Sequence, residues 1–129
     1  YQDAMPIQLE IFPPDRILIC VARGNITLQE YGELVAKIVQ ANLMHYRKII
    51  DATGAESTTI DKDILLALDE QMRNLSKGRP RGPLALVVDR KRGDLARTFK
   101  ALASPDRPVE VFGSIHDARK WLREQPIVE

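Results

Sequence analysis

The chain has 129 residues, 44% of them hydrophobic and 29% charged, with a net charge of +1 and a single cysteine, Cys20. This fits one soluble domain that buries on the order of two-thirds of its unfolded surface, and it excludes a disordered tail, a collagen-like chain and a disulfide scaffold. No apolar run approaches the roughly 18 residues of a membrane helix, and Tyr1-Gln2-Asp3-Ala4 has no signal-peptide character, so a cytoplasmic protein is expected.

Ile7, Leu9 and Ile11 alternate with Gln8 and Glu10, the pattern of a strand with one wet face. Pro13-Pro14-Asp15-Arg16 reads as a turn, because proline cannot donate to a ladder and Asp favours local backbone bonds. The unbroken apolar run Ile17-Leu18-Ile19-Cys20-Val21 predicts a strand buried on both faces, paired with the first as an antiparallel hairpin. Gly24-Asn25 ends it. Thr27-Leu28-Gln29-Glu30 is a capping box, and Leu28, Tyr31, Leu34, Val35, Ile38 and Val39 share one arc of the helix that follows. Gly32 lies on that apolar side, where a missing side chain permits close helix–sheet packing.

Lys48-Ile49-Ile50-Asp51 predicts a short strand ending in an acid, with a loop over 52–59. A second amphipathic helix places Ile60, Ile64, Leu65, Leu68, Met72 and Leu75 on one face. Leu66 points the other way, among Lys62, Asp69, Glu70 and Arg73. Gly78 to Pro83 is a loop, and Leu84-Ala85-Leu86-Val87-Val88 is a second fully buried strand. A helix with Leu95, Phe99 and Leu102 inward is stopped by Ser104-Pro105. Pro108 to Phe112 is the last strand, and Ser114 opens a final helix that buries Ile115, Ala118, Leu122 and Trp121. The order β-β-α-β-α-β-α-β-α gives an α/β fold with mostly parallel pairing through right-handed crossovers.

The residues supply no recognisable catalytic apparatus. No phosphate-binding glycine loop follows a strand, and His45 and His116 have neither a second cysteine nor an i, i+4 partner, so no metal site is expected. Both histidines read as surface residues, and Cys20 reads as a small core hydrophobe. Asp51 at a strand's carboxyl end, with Ser57, Thr58 and Thr59 ahead of a helix, marks the edge where open α/β sheets gather ligands. The three hydroxyls suit a phosphate, but plain helix capping, with Thr59 or Asp61 satisfying the orphan donors and the other hydroxyls solvated, is the favoured account of them.

The near-neutral total hides a split: residues 1–70 carry six Lys/Arg and eleven Asp/Glu, and residues 73–100 carry nine Lys/Arg and two Asp. Arg79 and Arg81 flank Pro80, and Arg90-Lys91-Arg92 follows the buried strand, so the two clusters lie at opposite ends of it, about 17 Å apart. Each reads as solvated loop charge. With no interleaved aromatics, no nucleic-acid groove is expected. Arg90 and Arg92 share the carboxyl edge with Asp51 if the strands are parallel.

Three pieces in this order resemble the SpoIIAA-like, or STAS-type, domains, which comprise anti-sigma factor antagonists and STAS/SEC14-like stand-alone proteins. They are the strand-turn-helix from Ile17 to Leu34 with Arg23-Gly24-Asn25-Ile26-Thr27; the strand Ile49-Ile50-Asp51-Ala52-Thr53-Gly54; and the block from Leu84 through Ala96-Arg97-Thr98-Phe99 to Asp117-Ala118-Arg119-Lys120-Trp121-Leu122. The resemblance implies a mixed, mostly parallel five-stranded sheet over residues 6–125, with 1–5 an added or disordered start and 126–129 a tail. It implies a bacterial, non-enzymatic regulatory or protein-interaction module without cofactor, whose partner is another protein; a small apolar, lipid-like ligand is the alternative. In the antagonists a kinase modifies a serine in Asp-Ser-Ser-Gly at the start of the second helix. Here that region reads Ser57-Thr58-Thr59-Ile60-Asp61, with neither the preceding acid nor the following glycine. The expected partner or ligand surface is therefore Asp51, Ser57, Thr58, Thr59, Leu66, Arg90 and Arg92, with Ser57, Thr58 and Thr59 at the phospho-acceptor location.

Overall fold

The computed structural model describes residues 7–24, 26–55, 62–77, 81–89, 93–101 and 107–126. The strands are β1 (Ile7–Phe12), β2 (Ile17–Gly24), β3 (Arg47–Ala55), β4 (Leu84–Val87) and β5 (Val109–Phe112). The helices are α1 (Leu28–Gln40), α2 (Lys62–Ser76), α3 (Gly93–Lys100) and α4 (Ile115–Arg123). The five strands form one sheet in the order β1-β2-β3-β4-β5, with β1 antiparallel to β2 and the other pairs parallel.

That order explains where the helices go. Each crossover from β2 to β5 moves one strand in the same direction, so right-handed connections put α1, α2 and α3 on one face. Only α4 covers the other. The alternation of each strand then sorts side chains between two cores. Leu18, Cys20, Ala22, Ala52, Leu84, Leu86 and Val109 face the three-helix side, where they meet Tyr31 and Ile38 of α1 and Phe99 of α3. Ile19, Ile49, Ala85 and Val87 face Ala118 and Leu122 of α4.

Local signals hold where they were strongest. Arg16 (φ 53°) closes the hairpin turn, and Gly24 (φ 71°) ends β2 in the left-handed region that glycine tolerates. Thr27 Oγ1 accepts from the Glu30 N–H while the Glu30 carboxylate accepts from the Thr27 N–H, the reciprocal cap expected. Ser114 caps α4 by accepting from the Asp117 N–H. Arg47 ties the far side together: Nη1 donates to the carbonyls of Leu122 and Gln125, and Nη2 to that of Asp15.

Four local readings change. β3 continues past Asp51 to Ala55, because β2 is long enough to pair with it there: Arg23 lies opposite Gly54 and Gly24 opposite Ala55. Gly32 faces Gln71 of α2, so its missing side chain serves helix–helix rather than helix–sheet packing. Leu75 is 36% exposed, at the outer margin of the α2 apolar face. Asp69, placed by pattern on the wet side of α2, is buried.

Candidate functional site

A cavity of about 100 Å³ lies between the sheet and helices α1 and α2. Its floor is the inward alternation of the sheet, Cys20 and Ala22 of β2, Ile50 and Ala52 of β3, and Leu84 and Leu86 of β4. Its roof is Tyr31, Leu34, Val35 and Ile38 of α1 with Met72 of α2. The small side chains Ala22 and Ala52 leave space on the floor that leucine or isoleucine would fill.

One end is charged. Lys48 is the second residue of β3, Arg81 lies just before β4 and Arg107 just before β5, so all three stand at the amino edge of the parallel strands. Asp69 reaches them from α2. All four are 6–7% exposed and line the cavity. The Asp69 carboxylate accepts from Arg81 Nη1 at 3.3 Å and from Arg107 Nη1 at 3.4 Å, and its other oxygen accepts from the exposed Arg73. Lys48 Nζ donates to the Tyr46 carbonyl at 2.9 Å and to the Met44 carbonyl. Among the described residues, three buried cations face one buried carboxylate.

The electrostatics follow from burial. Desolvation, reinforced by Arg107 and Arg81, lowers Lys48 from 10.5 to about 7, with Cys20 acting the other way. Burial pushes the Cys20 thiol up to about 12 against the pull of Lys48, so it carries no thiolate nucleophile at neutral pH. His45 is half-buried and its edge meets Tyr46, with ring centroids 5.0 Å apart. Its pKa falls below 6.5 through burial, then Arg16 and Lys48. His116 is exposed. No group of three or more metal-ligating side chains occurs among the described residues.

Of the residues expected to form the functional surface, the two described ones, Asp51 and Leu66, do not line this cavity. Asp51 is half-buried within β3, opposite Val21 and Val87, and its Oδ1 accepts from the N–H and hydroxyl of Thr53. Leu66 is exposed on the outer face of α2. Ser57, Thr58, Thr59, Arg90 and Arg92 lie outside the described residues. Asp51 is toward the carboxyl edge of the sheet, and the charged cavity end is at the opposite edge. Arg81, read from its loop as a solvated charge, is instead a buried ion-pair partner. Lys48 was missed altogether. Its signal was available: it falls in the same alternation as Ile50 and Ala52, both inward-facing.

No known family profile matches the sequence, and no curated protein matches it significantly. Solved structures do match. An uncharacterised protein of the DUF3478 family with a SpoIIAA-like fold, from Shewanella loihica PV-4, is 19% identical with a TM-score of 0.58 over 90% of this chain and 91% of that one. The anti-sigma factor antagonist SpoIIAA in its unphosphorylated form is 11% identical, also with a TM-score of 0.58, over 92% of this chain and 98% of its own. Among the described residues no helix is long and apolar enough to cross a membrane. With its mixed five-stranded sheet, three helices on one face and one on the other, the chain has the SpoIIAA-like fold.

Proposed function

We propose that the protein is a non-enzymatic regulatory module that binds another protein. The observation that carries this reading is the likeness to an anti-sigma factor antagonist across nearly the full length of both chains. The outer face of α2 supports it, since Leu66 is exposed there at 44%. A thiol held protonated by burial also favours binding over catalysis. A cytoplasmic setting accords with one buried free thiol in place of the disulfides of small secreted domains. The test is co-purification from the native host with quantitative mass spectrometry. The Leu66→Asp protein, checked for folding by its thermal transition, is expected to lose the protein that wild type carries. Retention of that partner by the folded variant would overturn the reading.

A specific observation favours a second reading, that of a small apolar ligand: the cavity beneath α1 and α2, lined largely by aliphatic side chains. Intact mass under native conditions tests it directly. A stoichiometric mass added to gently purified protein is expected, and a clean apo mass would contradict it. α2 belongs to both readings, because Met72 and Asp69 line the cavity while Leu66 faces outward.

A further inference from the structure

On the sheet face that α4 covers, the side next to the hairpin is open. α4 lies chiefly over β3, β4 and β5, and a concavity of about 510 Å³ remains between it and the turn from β1 to β2. We propose that this concavity binds an acidic, extended segment of a partner protein, its carboxylates on Arg119 and Arg123 and an apolar neighbour against Phe12. The inference rests on the protein-binding reading and adds a second surface, on the face of the sheet opposite α2.

Three observations carry it. First, the concavity holds a buried cation without a counter-ion. Arg47 is 7% exposed and lines it, bonding only to the carbonyls of Asp15, Leu122 and Gln125, while its Nε is buried with no hydrogen-bond partner. Among the described residues no carboxylate lies within ion-pair distance of it. The carbonyls at the end of α4 offset part of that charge, and an anion in the concavity would offset more. Second, the lining is cationic. Arg119 and Arg123 are exposed on α4 and form no ion pair among the described residues, and Asp15 is the single carboxylate among the described lining residues. Glu10 shares this face of β1, opposite Ile19, but does not line the concavity. Third, the hairpin side is apolar. Phe12 is 38% exposed and stands beside Ile17, its partner across the hairpin, with Ile19 further along β2.

Spacing and shape select an extended acidic peptide among anions. Residues four apart on a helix are displaced by about 6 Å along its axis, and alternate side chains of an extended chain by about 6.6–6.8 Å. Acids at alternate positions of an extended segment therefore match Arg119 and Arg123, each able to hold a carboxylate with two parallel N–H donors. A concavity of this volume admits several side chains rather than one ion, and a lone phosphate would leave the exposed ring of Phe12 uncovered. Asp15 in the lining and Glu10 further along β1 oppose a nucleic-acid backbone, which carries charge at every step.

The experiment is fluorescence anisotropy of the full chain, at neutral pH and low ionic strength, with three labelled peptides: Leu-Glu-Val-Glu-Phe and its counterparts with glutamine or lysine at both glutamate positions. The glutamate peptide is expected to bind about tenfold more tightly than the glutamine peptide, the combined worth of two exposed charge pairs, and the lysine peptide least of all. In the Arg119→Glu, Arg123→Glu protein the order is expected to reverse, and a reversal itself shows that the variant is folded. The peptide series on wild type needs no substitution, so the test stands even if the variant fails to fold. Equal binding of the glutamate and glutamine peptides, or binding of none of the three, would overturn the inference. Displacement of the glutamate peptide by inorganic phosphate as readily as by unlabelled peptide would also overturn it, in favour of a small-anion site. An unchanged order in the folded variant would overturn it by placing the peptide elsewhere. Co-purification with Leu66→Asp tests the protein-binding reading separately, so failure of the peptide series leaves that reading standing.

Discussion

The carboxylate of Asp69 on α2 and the guanidinium of Arg81, twelve residues further along the chain, form a buried ion pair with N···O 3.3 Å. The pair joins the helix that roofs the cavity to the segment that enters β4. Because Arg107 donates to the same carboxylate oxygen, Asp69 also fixes the approach to β5.

Removing that carboxylate leaves buried cations without their anion. Asp69→Asn is expected to destabilise the fold by about 3–5 kcal/mol, as measured from the urea midpoint. The comparison is Lys100→Ala, which removes an ion pair to Glu110 of 2.9 Å whose lysine is half exposed. It should cost less than about 1 kcal/mol. Similar losses from the two substitutions would show that Asp69 is not holding the cluster together.

Two glycines give opposite outcomes for the same change. A Cβ at Gly82 would stand 2.0 Å from the Tyr46 carbonyl oxygen, a backbone atom that cannot step aside. Gly82→Ala is therefore expected to cost at least about 3 kcal/mol, the upper end for overpacking, or to prevent folding. At Gly32 the nearest atom is the Gln71 side-chain oxygen at 3.7 Å, an ordinary contact. Gly32→Ala should be neutral or stabilise by up to about 1 kcal/mol, since alanine favours a helix interior. Thermal unfolding of both variants decides the matter.

Lys48 gives stability a pH dependence of definite sign. In the folded chain it loses its proton near pH 7, whereas unfolded it keeps it to about 10.5. Between these values the unfolded state binds more protons, so stability rises as pH increases from 7. Cys20 acts in the reverse sense higher up: the unfolded thiol ionises near 9.0 and the folded one near 12, so its contribution is lost above pH 9. The groups facing Lys48 are Cys20 on β2, Asp69 on α2, and Arg81 and Arg107 before β4 and β5. Urea midpoints of wild type should therefore climb from pH 7 to pH 9, and those of Lys48→Met should stay flat. Parallel slopes in the two proteins would contradict the assignment.

The architecture was legible because it rests on repeated short-range signals. The alternation of β1, the apolar runs of β2 and β4, the capping box at Thr27 and the serine cap at Ser114 each name their element independently. Cys20 between Ile19 and Val21 reads as core for the same reason. What stayed hidden is the site, because charge at a loop or helix position ordinarily means solvent. Arg81 beside Pro80 and Gly82 looks like any basic loop, yet it is buried against Asp69 of α2, twelve residues earlier in the chain. Asp69 carried a partial signal, since it lies four residues from Leu65 and three from Met72, on the apolar side of α2. The charged neighbours Glu70 and Arg73 masked it. The expectation that ligands gather at the carboxyl edge drew attention to Asp51, while the buried cations assemble at the amino edge through residues far apart in sequence.

The most direct test of the central claim, that this protein binds another protein, is quantitative co-purification from the native host with wild type and folded Leu66→Asp side by side. Enrichment of one protein by wild type and its loss from the variant is the predicted result. Equal recovery of the same proteins by both would contradict it.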